Sequence, residues 1–580
     1  MKNKSTVSKI LSKIKPYTGY LLLALLSAVI SVSLTLYIPV LTGQAIDNII
    51  DKGNVNFENI VQILIYIAIG IVGLTVFQWT MNYFTNIISY KTVRDLRREV
   101  FEKFNNVPLS YIDTHKHGDL ISRVINDVEA VGDGLTQMFL QLFSGIITII
   151  GTLIFMLMID WRIALTVVVL TPLSLFVATF IGKMSHKTFR EQQILQGEIS
   201  SFVEEHVGNQ QIVKSFSYED RAFEDFEKFN TKLYDVGFKA QFAGALANPS
   251  TRFVNSMVYA AVGIFGAITA ISGTLSVGQL SCFLTYANQY TKPFNEVTGV
   301  LTQLQTALAA ASRVFEVLEA ENEIPDPADS KNLDTCKGNV KIENVSFSYT
   351  KEKPLITYFS LDVKSGSHVA IVGPTGCGKT TFINLLMRFY ETDSGKITID
   401  GVDIKEMSRD NLRKQYGMVL QDSWLFCGTI MENLRYGNEN ATDEEIISAA
   451  KASYAHSFIR RMPNGYNTVI SEGGGNLSQG QKQLLCIARA MVTNPAILIL
   501  DEATSSIDTL TEIRVQKAFA KMMKGRTSFV VAHRLSTIKE SDVILVMKDG
   551  NIIEQGSHEE LLSQNGFYNT LYNSQFAKSN

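Results

Sequence analysis

The stretch Ser367–Thr380, SHVAIVGPTGCGKT, decides the fold of the second half of this chain. Its first six residues predict a buried strand, and the residues that follow it, Thr381–Tyr390, have a helical pattern. The loop between them has the form G-x-x-x-x-G-K-T, in which glycines allow backbone N–H groups to surround a phosphate at a helix N-terminus. The sequence therefore predicts an α/β domain with a nucleotide-phosphate site.

The side chains of this loop suit a nucleotide and a divalent cation. Lys379 is placed to reach the β- and γ-phosphates, and Thr380 is placed to hold Mg²⁺. Cys377 occupies a position where a small side chain fits, and it either packs there or is open to alkylating reagents. The predicted binding set is Gly373, Pro374, Thr375, Gly376, Cys377, Gly378, Lys379, Thr380 and Thr381.

Two acidic residues follow a second apolar run, Ile497–Leu500. The run predicts another buried strand, with Asp501 placed to bind Mg²⁺ directly or through water and Glu502 placed to polarise the attacking water. Adjacent acids after a strand often only cap the next helix. The phosphate loop upstream favours the catalytic interpretation.

The composition indicates a membrane protein. The 580 residues are 46% hydrophobic and only 19% charged, with a mean hydropathy of +0.10, whereas soluble proteins have about 25% charged residues. The formal net charge of −3 argues against a nucleic-acid partner. The five cysteines lack CxxC spacing, which argues against a disulfide framework and a zinc site.

Apolar segments of membrane-spanning length fill the first half. Lysine and arginine are concentrated before the first segment and in the second and fourth connections, which predicts that these parts and the N-terminus are cytoplasmic. Buried helices of a large soluble protein are the alternative, but five such uncharged stretches exceed what soluble cores show. The predicted spans are 18–40, 60–88, 136–159, 162–182, 253–272 and 278–300.

The acidic, proline-bearing run Ala320–Asp329 is the clearest domain boundary. We predict a multi-domain chain: a six-helix all-α transmembrane domain at 1–320 with long cytoplasmic helical extensions, a linker at 321–338, and an α/β P-loop nucleotide-binding domain at 339–580.

These motifs together resemble the ATP-binding cassette (ABC) transporters, and the whole chain resembles an exporter half-transporter. In that family an aromatic residue before the phosphate loop stacks on adenine, and Tyr349 matches it. The signature LSQGQ at 477–481 contacts ATP held by the opposite subunit. Its binding residues are Ser478, Gln479, Gly480 and Gln481. The resemblance further assigns Gln421 as a Mg²⁺-sensing glutamine, Asp508 to the loop at the dimer interface and His533 as a switch histidine.

Two departures from the family pattern bear on assembly. Gln479 stands where the usual signature has glycine, and EGGGN at 472–476 replaces a more common charged run. In both features the chain resembles one subunit of bacterial heterodimeric multidrug exporters, the subunit that keeps the catalytic glutamate. The resemblance therefore implies a second half-transporter as partner, and it favours a heterodimer while leaving a homodimer possible.

The implied function is ATP-driven export of amphipathic or hydrophobic compounds, whether drugs, lipids or peptides, by alternating access with ATP and Mg²⁺. Short coupling helices are expected near 108–117 and 213–221. The implied location is the plasma membrane, in contact with lipid, with both termini and the ATPase domain cytoplasmic. An ATP-gated channel or regulatory subunit is the alternative, and the transported compound stays open.

Overall fold

The computed structural model describes residues 2–51, 54–350, 353–420, 423–501, 508–532 and 535–575. The chain forms two compact units, one comprising Met1–Asn106 with His115–Ala320 and the other comprising Val107–Thr114 with Glu321–Asn580. The second unit thus includes a short segment from the first half of the chain.

Long helices make up the first unit. Polar side chains cap the start of three of them: Asn56 accepts from the backbone N–H of Asn59 at 3.2 Å, the Asp160 carboxylate accepts from that of Arg162 at 2.7 Å, and Ser276 forms a capping box with Gln279. The helices from the first half of the chain are α1 (Lys2–Ile14), α2 (Thr18–Asp47), α3 (Phe57–Phe104), α4 (Leu109–Thr114), α5 (His117–Ser122), α6 (Val128–Gln137), α7 (Ser144–Ile159), α8 (Trp161–Gly208), α9 (Gln210–Ser215), α10 (Glu219–Ala245), α11 (Ala247–Ile271) and α12 (Val277–Leu318).

Among the described residues, four helical stretches are long and apolar enough to cross a membrane: Thr6–Asp47, Phe57–Phe104, His117–Ile159 and Glu219–Ile271. Trp161–Leu173 is a shorter apolar helix. The predicted spans 162–182 and 278–300 lie in α8 and α12. The number of spans stays a prediction of six.

Polar contacts at both ends of α12 tie it to earlier helices of the first unit. Lys9 and Lys13 of α1 form ion pairs with Glu319, just after α12, and with Glu99 near the end of α3. At the C-terminal end of α2 and the N-terminal end of α12, the Asp47 carboxylate accepts from the Gly278 backbone N–H at 2.7 Å and from the Ser276 hydroxyl. The ends of α12 are therefore each bonded to an earlier helix.

The described residues of the second unit form three β-sheets. The strands of the chain are β1 (Ile49–Asp51), β2 (Asn54–Val55), β3 (Val340–Phe347), β4 (Ile356–Val363), β5 (His368–Val372), β6 (Ser394–Ile399), β7 (Val402–Asp403), β8 (Tyr416–Val419), β9 (Gly428–Thr429), β10 (Val469–Ile470), β11 (Ile497–Asp501), β12 (Thr527–Val531), β13 (Val543–Lys548) and β14 (Asn551–Gly556). The largest sheet has six strands in the order β14-β13-β5-β12-β11-β8, and it is parallel except for the β13–β14 pair. The second is an antiparallel sheet in the order β4-β3-β6-β7, and the third is the antiparallel pair of β9 and β10.

Helices cover these sheets and complete the α/β architecture. The remaining helices are α13 (Lys379–Leu386), α14 (Arg409–Lys414), α15 (Ile430–Arg435), α16 (Asp443–Ala452), α17 (His456–Ile459), α18 (Gln479–Thr493), α19 (Thr509–Met523), α20 (Leu535–Lys539), α21 (His558–Ser563) and α22 (Phe567–Gln575). The buried core includes the apolar residues of the parallel strands, which predominate there because both faces of the sheet are covered.

The helix after the phosphate loop is shorter than the sequence pattern indicates. It ends at Leu386 instead of Tyr390, because Arg388 has a positive φ of 51°. The backbone N–H of Phe389 then donates to the Asn384 carbonyl at 2.8 Å, and that of Arg388 donates to Leu385 at 3.1 Å. This is a Schellman motif, which satisfies carbonyls at the end of the helix and turns the chain.

The acidic segment after α12 is tied to the domain that follows it. The guanidinium of Arg409, which is 8% exposed, lies 2.9 Å from Glu323, 2.7 Å from Asp326 and 2.9 Å from Glu391. Arg388 is also buried, and it pairs with Glu391 at 2.8 Å. Two buried arginines thus hold three carboxylates, and we call these five residues the linker cluster.

Replacing Arg409 with alanine is expected to release the linker. Removing one partner of a buried ion pair leaves uncompensated charge and costs about 3 kcal/mol. We therefore expect a lower midpoint of thermal unfolding and faster trypsin cleavage at Lys331 and Lys337. Arg461→Ala, at an exposed arginine, is the matched control; equal cleavage rates in the two variants would contradict the assigned role of the cluster.

Candidate ATP-binding site

The phosphate loop lies between β5 and α13, at the carboxyl edge of the parallel sheet. Gly378 is at the N-cap of α13 with φ +102°, a conformation that residues with a Cβ rarely adopt. Gly373 lies against β13, where an added Cβ would be 2.3 Å from the Met547 carbonyl oxygen. The predicted strand, loop and helix thus occur in the order that places backbone N–H groups at a helix N-terminus.

Lys379 folds back over the loop. Its Nζ donates to the backbone carbonyls of Gly373 at 2.9 Å and Pro374 at 3.0 Å. Its Nζ is also 3.8 Å from the sulfur of Cys377, which is only 3% exposed and belongs to the hydrophobic core. The ammonium group is therefore held beside the loop, and the packing interpretation of Cys377 fits the structure.

Tyr349 lies beside the start of α13. Its hydroxyl is 3.0 Å from the hydroxyl of Thr381, and its ring makes an edge-to-face contact with Phe347 at a centroid distance of 4.9 Å. The side chain remains 51% exposed. A half-exposed aromatic ring bonded to the phosphate-loop helix is suited to stack on a base.

Asp501 ends β11, which is separated from β5 only by β12 in the parallel sheet. The carboxyl ends of parallel strands meet at one edge, so the sheet brings Asp501 and the phosphate loop to the same side of the domain. Glu502, Gln421 and His533 lie outside the described residues. Their predicted roles therefore stay predictions.

The signature segment begins α18. Ser478 is the N-cap, and its hydroxyl accepts from the Gln481 backbone N–H at 3.3 Å while the Gln481 side chain accepts from the Ser478 N–H at 3.0 Å. Gly480 is buried in the first turn. The capping box thus uses the side chains of Ser478 and Gln481 and presents the start of α18, with Gln479 as its first residue.

The segment before the signature is tied back to α18. Lys482 donates from its Nζ to the Gly473 carbonyl at 2.7 Å, and the Asn476 amide donates to the Val469 carbonyl at 3.0 Å. The unusual glycine-rich run therefore has defined partners in the described structure.

Asp508 caps α19. Its carboxylate accepts from the backbone N–H of Thr511 at 2.9 Å. That backbone bond, followed by the Thr511 hydroxyl, lowers the pKa of Asp508. The carboxylate is therefore ionised at neutral pH at a helix N-terminus, where negative charge is favourable.

One site residue was missed by the sequence reasoning. The ring of Tyr390 contacts that of Tyr349 edge to face at a centroid distance of 5.1 Å. The motif pattern points to residues before and within the loop, whereas Tyr390 follows the helix that the loop begins. Its signal was an aromatic residue four positions after the end of α13, in the run MRFYET at 387–392.

The fold and the site together define an ATP-binding domain on a chain with membrane-spanning helices. The model of the ABC transporter transmembrane region matches residues 21–294, and the ABC transporter model matches residues 356–505. An uncharacterised ABC transporter ATP-binding protein of Bacillus subtilis (strain 168), YfiC, is 40% identical over 575 residues, which cover 99% of this chain and 95% of that protein.

Two further comparisons extend this result. A fatty acid ABC transporter ATP-binding/permease protein of Mycobacterium bovis (strain ATCC BAA-935 / AF2122/97) is 42% identical over 84% of this chain and 77% of its own length. The structure of a bacterial Atm1-family ABC exporter with ATP bound aligns with a TM-score of 0.76 and 28% identity, over 97% of this chain and 98% of that one. The chain therefore belongs to the ABC transporter family. It is a membrane exporter that binds ATP and couples ATP hydrolysis to transport.

Proposed function

We propose that this chain is one half of a dimeric exporter that moves amphipathic, lipid-like compounds out of the cytoplasm by alternating access. The observation that carries the proposal is the ATP-binding loop, with Lys379 held over it, on the same chain as long apolar helices. The similarity to a fatty acid transporter supports a substrate with an apolar chain. Drugs and peptides are the other substrate classes that an amphipathic pathway would accept.

We propose a place for each part of the nucleotide among the described residues. Tyr349 stacks on adenine, the loop 373–380 surrounds the phosphates with backbone N–H groups, and Lys379 moves its ammonium group from the loop carbonyls to the phosphate oxygens. This exchange replaces two neutral acceptors by charged ones, which are stronger partners for an ammonium group.

The cation site fits the chemistry of Mg²⁺. Thr380 lies in the first turn of α13 and Asp501 ends β11, so a hydroxyl and a carboxylate lie toward the same edge of the sheet, and oxygen ligands are what Mg²⁺ prefers. Bound there with Gln421, the ion would neutralise charge on the phosphates. Glu502 polarises the attacking water, and His533 contacts the γ-phosphate.

We further propose a chain with its N-terminus, C-terminus and ATPase domain in the cytoplasm, with the six spans within residues 1–320 and the ATPase domain at 339–580. The ion pairs of Lys9 and Lys13 with Glu319 and Glu99 support this orientation, because they put the basic N-terminal helix beside the ends of α3 and α12. Basic segments of membrane proteins face the cytoplasm.

The dimer is proposed to be a heterodimer. Ser478 and Gly480 begin a well-capped α18, so the signature segment is structurally intact, but Gln479 places a long amide where the family has glycine. In a heterodimer, the partner's intact signature faces Lys379, Asp501 and Glu502 of this chain. Gln479 closes over the partner's ATP site, which is the weaker of the two. Asp508 lies at the interface between the two subunits.

Reconstitution tests the transport and the assembly together. We expect the chain co-expressed with the half-transporter of its neighbouring reading frame to move a fluorescent fatty acid across liposomes with ATP, and the chain alone to hydrolyse ATP at less than a tenth of that rate. Transport-coupled hydrolysis by the chain alone would show a homodimer. Steady hydrolysis with no movement of lipid, drug or peptide would favour an ATP-gated channel or regulatory subunit instead.

A further inference from the structure

One charged side chain stands within the last predicted span, 278–300. Lys292 lies eight residues before the end of that span, so its Cα is about 12 Å from the end along the axis of α12. The side chain is exposed, and among the residues that the structure describes it has no ion-pair partner. A charge at this depth is costly, and charged residues inside spans face water-filled cavities and mark substrate pathways.

Close packing at two glycines sets the register of α11 against α12. An added Cβ at Gly266 would be 2.3 Å from the Leu280 side chain, and one at Gly263 would be 4.0 Å from that of Leu284. The two helices therefore run in opposite directions. Continuing this register along both helices places Lys292 level with about residue 255 of α11.

A second cation, Arg252 of α11, lies about 5 Å from the level of Lys292 along the helix axis. The helical stretch that contains it packs antiparallel on α8. Added Cβ atoms at Gly237 and Gly244 would be 3.6 and 3.0 Å from the side chains of Gln192 and Phe189. Arg252 is eight residues beyond Gly244, so it is level with the predicted span 162–182 of α8. Its side chain is exposed, and in the described part of the chain it too lacks an ion-pair partner.

Polar atoms that lack hydrogen-bond partners occur at the same level. The Oδ1 of Asn255 in α11 and the Oε1 of Gln289 in α12 are both buried, and neither has a partner within the described structure. Pro293 lies inside α12 and has no N–H, so the Gln289 backbone carbonyl lacks its usual helical donor. Hydrocarbon offers no donor to these groups. We call the four residues Arg252, Asn255, Gln289 and Lys292 the polar band.

Apolar side chains continue from the polar band toward the far end of α11. Tyr259, Ile264 and Phe265 are exposed there. Covering such side chains with an apolar chain removes apolar surface from water, which is favourable. A ligand with one polar end and one apolar chain therefore matches the order of groups along this helix.

We propose that the polar band selects amphiphiles with an anionic head group, a carboxylate or a phosphate, and that Lys292 is the residue that determines this specificity. The inference rests on the proposed export of amphipathic compounds, and it adds the charge of the compound. Hydrogen bonds from a cation to anionic oxygens are stronger than those between neutral groups. No carboxylate of the described side chains pairs with either cation of the band. Glu296 follows Lys292 by one helical turn, and its side chain lies outside the described residues.

Titration calorimetry on the assembled, full-length transporter in phosphatidylcholine nanodiscs tests the charge of the head group. Dodecanoate, dodecyl phosphate, dodecanol and dodecyltrimethylammonium share one apolar chain. We expect the two anions to bind about tenfold more tightly than the other two compounds, and the tighter anion identifies carboxylate or phosphate as the preferred group. Equal affinity of the wild-type protein for dodecanoate and dodecanol would overturn the proposal.

Substitutions of Lys292 test the residue itself. Lys292→Met should weaken the binding of both anions about tenfold and leave the dissociation constant of dodecanol within about twofold of wild type. Lys292→Arg keeps the charge and should retain anion binding, whereas Lys292→Glu should bind dodecyltrimethylammonium more tightly than dodecanoate. Lys232→Met, at an exposed lysine of α10, is the matched control and should bind all four compounds as the wild type does. Wild-type affinity for both anions in Lys292→Met would show that another residue selects the charge.

Transport and thermal unfolding separate this inference from its alternatives. If the wild-type protein binds and transports dodecanol as well as dodecanoate, export of amphiphiles stands and selection by charge is wrong. If it binds and transports none of the four compounds, the proposed function fails, and the inference fails with it. A purely structural ion pair between Lys292 and Glu296 predicts that Lys292→Met lowers the midpoint of unfolding, that adding Glu296→Gln restores it, and that the head-group preference stays unchanged. That combination would also overturn the proposal, and the wild-type head-group series decides if no variant folds.

Discussion

Glu502→Gln is expected to lower kcat for ATP hydrolysis by about 100-fold or more while leaving ATP bound. Glutamine has nearly the shape of glutamate but cannot accept a proton from water, and general base catalysis contributes about 10²–10⁴-fold to a rate. The nucleotide-bound dimer should therefore accumulate. Steady-state phosphate release, together with retention of radiolabelled ATP through gel filtration, measures both parts of the expectation.

Glu444→Gln is the matched control, because Glu444 is an exposed glutamate in the first turn of α16. It should hydrolyse ATP at the wild-type rate. Undiminished turnover in Glu502→Gln would refute the role of this residue in hydrolysis. Loss of ATP retention alongside turnover would place Glu502 in binding instead of catalysis.

Lys379→Met is expected to weaken ATP binding by about 10- to 100-fold, because a hydrogen bond to a charged group contributes about 1.5–3 kcal/mol. Methionine keeps the length of the side chain and removes the ammonium group that lies over Gly373 and Pro374. Lys379→Arg should also bind weakly, since a planar guanidinium does not fit where a compact ammonium does. Equilibrium binding of a fluorescent ATP analogue gives the dissociation constants.

The control for the charge itself is Lys364→Met, which removes an exposed lysine just after β4. Its affinity for ATP should equal that of the wild-type protein. A dissociation constant for Lys379→Met within about twofold of wild type would contradict the position assigned to the ammonium group.

The strand, loop and helix around the phosphates could be predicted because their signals are local. Val372 ends β5 and Lys379 begins α13, as the spacing of glycines and apolar residues indicates. The same holds for Ile497–Asp501, where an apolar run became a buried parallel strand. Backbone requirements at a phosphate loop are met by residues adjacent in the sequence, so one chain is sufficient to recognise them.

The end of α13 could not be predicted from the same kind of signal. A left-handed residue after a helix is usually glycine, and here it is Arg388. Its guanidinium donates to the carbonyls of Ile404 and Met407, at 3.1 and 3.3 Å, and these bonds hold it in place. The partners lie 16 and 19 residues away, outside any helical pattern.

The linker was difficult to interpret for a related reason. An acidic segment with prolines has the composition of a solvated connection, and its binding partners are arginines 60 to 90 residues further along. The same applies to Tyr390, whose partner Asp113 precedes it by 277 residues. Pairs of this kind become visible only when the tertiary structure brings the side chains together.

The linker cluster has a practical consequence for anyone who prepares the ATP-binding domain as a separate fragment. A fragment that starts at β3 would lack Glu323 and Asp326 and would leave Arg409 with one carboxylate out of three. A start near residue 321 retains the native counter-charges. The better cloning boundary therefore lies before the acidic segment, whose carboxylates pair with Arg409 in the second unit.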